Sequence, residues 1–351
     1  MKSTDGHGLS ARRPPSRAIF ALLSAALLAA LLLSLCCGSQ PIPLRAVWNA
    51  LHPGAPDDTV RRILLHVRLP RTLAALLAGG ALALSGALIQ AVLQNPMASP
   101  NVIGVNAGAG FFALLVSVLP GATGATGATG AAGAVGAAAF GGALSTALFI
   151  YALATRAGLS RTALVLAGVA VSSMLNAGIN TLTLLFPDAS IGAAGFMLGG
   201  FSGVTVDAVK AALPYLAAGA LLATLLGRPL DVLQLGEESA LSLGMHVSAV
   251  RLLAILSAAL LAGAAVSFAG LLGFVGLLFP HIARRIVGSD HRRLLPAAAL
   301  LGATFVLLCD TFARAVFAPF EFPVGIVMSL LGGPFFLYLL LGGRRKAYDR
   351  L

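Results

Sequence analysis

Residues that could catalyse a reaction or bind a metal are few and scattered in this chain of 351 residues. Hydrolysis of ATP on a phosphate-binding loop needs a lysine that follows a glycine and precedes a serine or threonine. The chain has only three lysines, Lys2, Lys210 and Lys346, and none has those neighbours. The six histidines stand apart, and the three cysteines form no CxxC pair. We therefore predict no catalytic residue, no metal site and no cofactor.

Carboxylates could instead carry protons or ions across a membrane, a role that places them near the middle of the bilayer. The acidic residues stand at the ends of apolar runs or between them, and Asp310 is the nearest exception. Arg314 follows Asp310 by one helical turn and can pair with it. We interpret Asp310 as half of a structural ion pair, with a proton relay as the alternative. An ion-coupled secondary carrier, or a membrane scaffold without a motor, stays open as an alternative function.

Two adjacent glutamates, Glu237 and Glu238, stand in the stretch LQLGEESALSLGMH between two very apolar runs. Carboxylates are unfavourable in such surroundings unless they face water or a partner. Gly236 and Gly244 bracket a short amphipathic segment, and both glutamates would lie in its first helical turn, where the helix dipole favours negative charge. The pattern predicts a short helix outside the lipid, in water or against a partner protein.

The elements that position these residues are membrane helices. The chain is 58% hydrophobic and 10% charged, with a mean hydropathy of +0.94. Several windows reach the roughly 18 apolar residues that mark a membrane span. The net charge of +11 comes from arginines distributed between the apolar runs, which indicates topology signals and no nucleic-acid surface. We predict an all-α membrane protein with about ten transmembrane helices, at 18–37, 72–93, 103–119, 131–155, 162–186, 208–227, 251–270, 272–287, 294–317 and 323–342.

Three parts are expected along the chain: a basic segment at 1–17, a ten-helix domain at 18–343 and a tail at 344–351. The first apolar run is interpreted as an uncleaved helix, because Leu35 stands where a signal cleavage site needs a small residue. The run GATGATGATGAAG at 121–133 has a three-residue period without proline, and we expect a flexible loop there.

Basic residues fall in alternate connections, around 156–161, 228–251 and 284–293, and at both ends of the chain. Because cytoplasmic loops carry an excess of Lys and Arg, both termini and the loop 228–250 are predicted to be cytoplasmic. One connection breaks this rule. It follows the first span and should be external, yet it carries five arginines: Arg45, Arg61, Arg62, Arg68 and Arg71.

Three stretches resemble the signatures of the bacterial permease family that imports iron-siderophores, haem and vitamin B12. They are VRLPRTLAALLAGGALALSGALIQAVLQNPMASPNVIGVNAGAG (67–110), GLLGFVGLLFPHIARRIVGSDHRRLLP (270–296) and FPVGIVMSLLGGPFFLYLL (322–340). The resemblance covers nearly the whole chain. It implies the ten-helix permease of an ABC importer in the bacterial inner membrane, carrying an iron(III) chelate or cobalamin. Its implied partners are a second permease subunit, in a homodimer or a heterodimer, two cytosolic ATP-binding subunits and an external solute-binding protein.

The resemblance also implies roles for three groups of residues. Arg68, Arg71 and Arg314 would meet acidic groups of the binding protein, with snorkelling at the membrane interface as the alternative. Arg61 and Arg62 have no counterpart in the family.

The ATPase-coupling residues would be Leu235, Gly236, Glu237, Glu238, Ser239, Leu243 and Gly244. The gate or pathway residues would be Ser160, Thr162, Ser172, Asn176, Asn95 and Pro96. Arg161 departs from the uncharged pattern of the gate, and helix–helix hydrogen bonding is the alternative role for the polar residues of the pathway.

Overall fold

The computed structural model describes residues 16–38, 40–52, 58–119, 127–158, 160–316, 318 and 320–348. Residues 1–15 of the basic segment, 121–126 of the Gly-Ala-Thr run and 349–351 of the tail lie outside them. A π-helical turn, Leu64–Arg68, and a 3-10 turn, Pro100–Ile103, join helices. The α-helices are α1 Ser16–Cys36, α2 Leu44–Leu51, α3 Thr59–Ile63, α4 Leu69–Leu93, α5 Val105–Val118, α6 Gly127–Arg156, α7 Arg161–Leu185, α8 Pro187–Leu198, α9 Val206–Leu225, α10 Gly227–Gln234, α11 Glu237–Ser242, α12 Val247–Ala269, α13 Val275–Val287, α14 His291–Val316 and α15 Val324–Tyr348.

The predicted all-α membrane class is confirmed. Within the described residues, seven helical segments are long and apolar enough to cross a membrane. The other three predicted spans coincide with the shorter helices α5 and α13 and with α15, whose apolar part ends at Leu339. At 13 residues, α13 is only about 20 Å long, less than the hydrocarbon core of a bilayer. Each predicted span therefore coincides with a helix, and the side of the membrane that each end faces stays a prediction.

Small residues allow the central helices to pack closely. The apolar windows of α4 and α12 are each 72% buried, the highest values among the spanning segments. Gly79 of α4 lies against Gly302 of α14, and Gly86 of α4 lies against Gly276 of α13. A Cβ atom at Gly79 or Gly86 would overlap a backbone carbonyl of the facing helix. Close backbone approach at small residues is the usual way in which membrane helices associate.

Some boundaries differ from the predictions. The Gly-Ala-Thr run was expected to be a loop through 133, yet α6 begins at Gly127. Alanines separate the glycines in this part of the run and offset their low helix propensity. At the other end of the chain, α15 continues to Tyr348, so the tail expected from 344 begins inside a helix. The short helices α2, α3 and α8 occupy stretches expected to be connections.

The segment between α4 and α5, residues 94–104, reverses the chain direction so that α5 packs in the bundle. Gln94 ends α4 in the left-handed conformation, with φ 46°, and Gly104 begins α5 with φ 73°. Between them, Asn95 accepts a hydrogen bond from the Met97 amide at 2.9 Å. The Gln94 side chain donates to the Leu233 carbonyl of α10, which places this break beside the short helices that follow α9.

Candidate functional site

The short helices α10 and α11 form a compact unit between α9 and α12, which we call the coupling module. Gly236 and Gly244 bracket α11 with φ values of 109° and 78°. Positive φ favours glycine because it lacks a Cβ. Glu237 and Glu238 lie in the first turn of α11, so the predicted short helix is confirmed with the bounds Glu237–Ser242.

The coupling module exposes three large apolar side chains. Leu235, Leu241 and Leu243 are each more than half exposed, whereas Ala240 faces the bundle and is fully buried. Glu238 and Ser239 are exposed on the same short helix. Three exposed large apolar side chains within nine residues of chain, together with a carboxylate, are typical of a protein interaction surface.

Polar contacts tether the coupling module to three helices of the bundle. Glu237 accepts hydrogen bonds from Arg251 of α12, the shorter at 2.8 Å, and Arg251 is buried. An oxygen of Asp231 in α10 lies 3.0 Å from the backbone nitrogen and 2.6 Å from Nδ1 of His291 in α14. His291 is fully buried. The third tether is the bond from Gln94, so the module is attached to α4, α12 and α14.

A cluster of charged residues lies near the start of α4 and the end of α14, at the end of these helices away from the coupling module. We call it the outer cluster; it comprises Arg68, Arg71, Asp310, Arg314 and Glu321. Arg71 Nε donates to Asp310 at 2.9 Å, and Arg71 Nη1 lies 3.5 Å from Glu321 Oε1. Arg314 Nε forms an ion pair with Asp310 Oδ2 at 2.9 Å. The predicted pairing of Asp310 with Arg314 is confirmed.

Ser202 donates a hydrogen bond to Glu321, and further contacts of the outer cluster fix the end of α1. Arg68 donates to the carbonyl oxygens of Leu35 at 2.6 Å and Cys36 at 2.9 Å, and also to that of Gln40. Arg314 donates to Ser34 Oγ at 2.9 Å. Each of these contacts joins residues more than 25 positions apart in sequence, so α1, α4 and α14 are tied together here.

The three arginines that the sequence assigns to docking are therefore packed inside the protein. Arg68 is 4% exposed and Arg71 is 6% exposed, and the Arg314 side chain is about as deeply buried. A contact with a binding protein stays a prediction. The structure does not favour snorkelling as their sole role, because their guanidinium groups bind partners within the chain.

The predicted gate and pathway residues occupy three places. Asn95 and Pro96 are exposed in the turn beside the coupling module. Ser160 caps α7, accepting a bond from the Ala163 amide at 3.0 Å, while Thr162 is exposed on the first turn. Ser160 and Arg161 also line a narrow cavity that reaches Arg251. Further along α7, the Ser172 oxygen is buried without a hydrogen-bond partner and Asn176 is exposed. Their roles in transport stay predictions.

One face of α7 has no cover within the described chain. Only 17% of its apolar window is buried. Leu166, Val169, Met174 and Leu184 are exposed along its length, with Asn176 among them. An apolar face with polar groups suits a protein neighbour inside the membrane.

Sequence reasoning missed a cavity of about 950 Å³ between α5, α6, α8, α9 and α12. Small residues line most of it, and Asp188 and Asp207 lie at its wall. The glycines of GGFSGVT, at 199–205, were the available signal, because the cavity wall needs backbone without bulky side chains. Among the described residues, no group of three His, Cys, Asp or Glu side chains could hold a metal ion.

Comparison with known proteins gives the family. Residues 26–342 match the model of the FecCD transport family. The chain is 39% identical over 314 residues to the iron(3+)-hydroxamate import system permease protein FhuB of Bacillus subtilis, covering 89% of this chain and 80% of the relative. It is 36% identical over 310 residues to the hemin transport system permease protein HmuU of Yersinia pestis, covering 88% and 91%. It is 40% identical over 306 residues to the cobalamin import system permease protein BtuC of Halobacterium salinarum, covering 86% and 80%.

A solved structure is similar over most of the chain. It is described as an inward-facing conformation of a metal-chelate type ABC transporter. The TM-score is 0.78 at 26% sequence identity, with 93% of this chain and all of that chain covered. The relatives are named as permease proteins of import or transport systems, and the helical arrangement agrees with that of a transporter. The chain therefore belongs to the FecCD transport family.

Proposed function

We propose that this chain is the permease subunit of an ABC importer in the bacterial inner membrane. Its cargo would be an iron(III) chelate, as a siderophore or haem, or cobalamin, and ATP would be hydrolysed by separate subunits. The observation that carries this proposal is the coupling module, which combines an exposed apolar surface with tethers to three bundle helices. The relatives, which import iron hydroxamate, hemin and cobalamin, support the choice of cargo.

The coupling module is suited to docking on a cytosolic ATP-binding subunit. Leu235, Leu241 and Leu243 would fill an apolar cleft, while Glu238 at the start of α11 would meet a basic group at its rim. Because α10 and α11 are tethered to α4, α12 and α14, a displacement of the docked surface would reach the centre of the bundle. An isolated exposed loop would lack this rigid connection.

A second copy of the permease would cover the exposed face of α7. This face presents Leu166, Val169, Met174 and Leu184 together with Asn176. In a symmetric dimer the same face meets itself, so the asparagines of two copies would line a common path. Both termini would lie in the cytoplasm, as the arginine distribution indicates.

The solute-binding protein would dock at the outer cluster. Three arginines and two carboxylates leave one net positive charge there, which attracts an acidic partner and orients its approach. In the structure described here Arg71 is held by Asp310 and Glu321, so a direct ion pair requires Glu321 to release Arg71. The alternative function, an ion-coupled carrier, has less support because Asp310 is fixed between two arginines and is fully buried.

A growth experiment tests the proposed function and its cargo. A strain that lacks this gene would be grown with a siderophore, haem or cobalamin as the only source of iron or of the vitamin. We expect loss of growth on one class of source. The wild-type chain should restore growth, whereas a variant in which Leu241 and Leu243 are replaced by charged residues should not. Uptake that persists without any ATP-binding subunit, and that a protonophore abolishes, would instead establish a secondary carrier.

A further inference from the structure

Helix α2 packs on the last turn of α1 and so lies at the level where α1 leaves the membrane. Val47 and Ala50 of α2 are buried with Leu64, against Leu35 and Cys36 of α1. The surface of α1 itself faces outward from the bundle, because only 11% of its apolar window is buried. Unlike the exposed face of α7, the exposed surface of α1 between residues 25 and 33 carries no polar side chain. Such a surface suits lipid, so α2 begins where the lipid-facing surface of α1 ends.

A second apolar flank of α2 is uncovered. Leu44 and Trp48 are four residues apart and therefore share a face of the helix. Trp48 is 70% exposed and Leu44 is more than half exposed. Arg45 and Asn49 are exposed on the adjoining face. An amphipathic helix with a tryptophan on its apolar side and an arginine on its polar side is the pattern of a helix that lies in a membrane interface.

Positive charge continues from α2 into α3. Arg62 is exposed on α3, and Arg61 beside it bonds the His52 carbonyl at 3.4 Å, which holds α3 against the end of α2. Asp58 caps α3 by accepting a bond from the Arg61 amide at 2.8 Å. The short unit α2–α3 therefore presents Arg45 and Arg62 beside the exposed Leu44 and Trp48.

We propose that α2 and α3 form an interfacial anchor that binds anionic phospholipids in the leaflet at the Cys36 end of α1. Leu44 and Trp48 insert about 5–10 Å into the boundary between headgroups and acyl chains. Arg45 and Arg62 bind lipid phosphates. Lipid is the occupant because the apolar flank continues the lipid-facing surface of α1, and because the polar face is basic. The anchor gives a role to Arg45 and Arg62, two of the five arginines in a connection that the positive-inside rule assigns to the outside.

The test uses the intrinsic fluorescence of Trp48, which is the only tryptophan of the chain. The full-length protein would be placed in lipid nanodiscs that contain lipids brominated either near the headgroup end or near the methyl end of the acyl chains. We expect a blue-shifted emission that loses most of its intensity to the shallow bromines and little to the deep ones. Iodide in the water should quench it weakly. The variant Trp48→Phe supplies the blank.

Variants and lipid composition test the charged part of the anchor. Raising the fraction of phosphatidylglycerol should increase quenching by shallow bromines in the wild type. This dependence should be lost in the double variant Arg45→Gln, Arg62→Gln, whose helices keep their apolar contacts. The control Asn49→Gln, on the same polar face, should retain it.

Two results would overturn the proposal. Strong quenching of Trp48 by iodide, with no effect of brominated lipid, would show that α2 stands in water. Alternatively, neither brominated lipid nor iodide could quench Trp48, and its emission could shift only when a purified solute-binding protein is added. That result would assign this face to a protein partner. Both results concern α2 alone, so either could occur while ATP-driven import remained intact.

Discussion

Asp310 pairs with two arginines of the outer cluster. Its carboxylate is fully buried and lies within 3 Å of both Arg71 and Arg314. The pair with Arg314 could be predicted because four residues make one helical turn. Arg71 could not, since 239 positions separate it from Asp310 and only the packing of α4 on α14 brings them together.

The change Asp310→Asn should strongly destabilise the protein. It removes the negative charge and leaves two buried arginines facing each other, a situation that costs about 3–5 kcal/mol. We expect a lower melting temperature in detergent and less protein in the membrane. Glu321→Gln is the control, because Glu321 is more than half exposed and should contribute at most about 1 kcal/mol. Equal stability of the two variants would contradict the described network.

The two glutamates of α11 should have separable roles. Glu237 is engaged with Arg251, whereas the Glu238 side chain is exposed. We expect Glu237→Arg to loosen α11 and uncouple ATP hydrolysis from transport, and the added change Arg251→Glu to restore coupling in part. Glu238→Lys should weaken binding of the ATP-binding subunit and should not respond to that second change. Coupling would be measured as transport per ATP hydrolysed; rescue of Glu238→Lys by Arg251→Glu would contradict these roles.

At the scale of elements, the sequence predicts the long helices well and the short ones poorly. Ten apolar runs coincide with helices because most of them are long enough and apolar enough to cross a bilayer, although α5 and α13 are shorter. The helices α2, α3 and α8 have 8, 5 and 12 residues, too few for a spanning pattern to mark them. The coupling module is an exception, since the two glycines and the two glutamates define α11 in the sequence.

Helix packing depends on glycines at particular contacts. Gly86→Ala should disrupt the contact of α4 with α13, because the added methyl group would overlap the Gly276 carbonyl. We expect loss of folded protein from the membrane and a broadened elution profile in detergent. Gly141→Ala in α6 is the matched control, because a Cβ there meets no atom within 4 Å. Its helix propensity should rise slightly, and its stability should not fall.

At the scale of the whole molecule, orientation can be tested by chemical labelling. In a background that lacks Cys36, Cys37 and Cys309, cysteines would be placed at Phe320 and at Ser239, both of which are exposed. An impermeant thiol reagent should label Phe320→Cys in intact spheroplasts and Ser239→Cys only after permeabilisation. The reverse pattern would place the coupling module outside the cell, where no ATP-binding subunit could reach it.

At this scale the sequence predicts the family and the membrane spans, but it does not predict the long-range contacts or the cargo. Family membership and the positions of the spans follow from residue patterns along the chain. Burial of Arg68 and Arg71, and the attachment of α10 to His291, depend on contacts between segments far apart in sequence. In the proposed dimer the cargo would depend on shape and contacts in a path shared by two subunits, so one chain would supply only half of that information.

Uptake by reconstituted proteoliposomes tests the central claim most directly. The chain would be purified with its ATP-binding subunits, inserted into liposomes, and supplied with ATP on the side of the coupling module. Labelled iron(III) chelate, haem or cobalamin would be added with the binding protein on the other side. We predict uptake that requires ATP hydrolysis and that is lost in the double variant Leu241→Asp, Leu243→Asp, which should still fold. Uptake that needs no ATP and follows an imposed proton gradient would contradict the account.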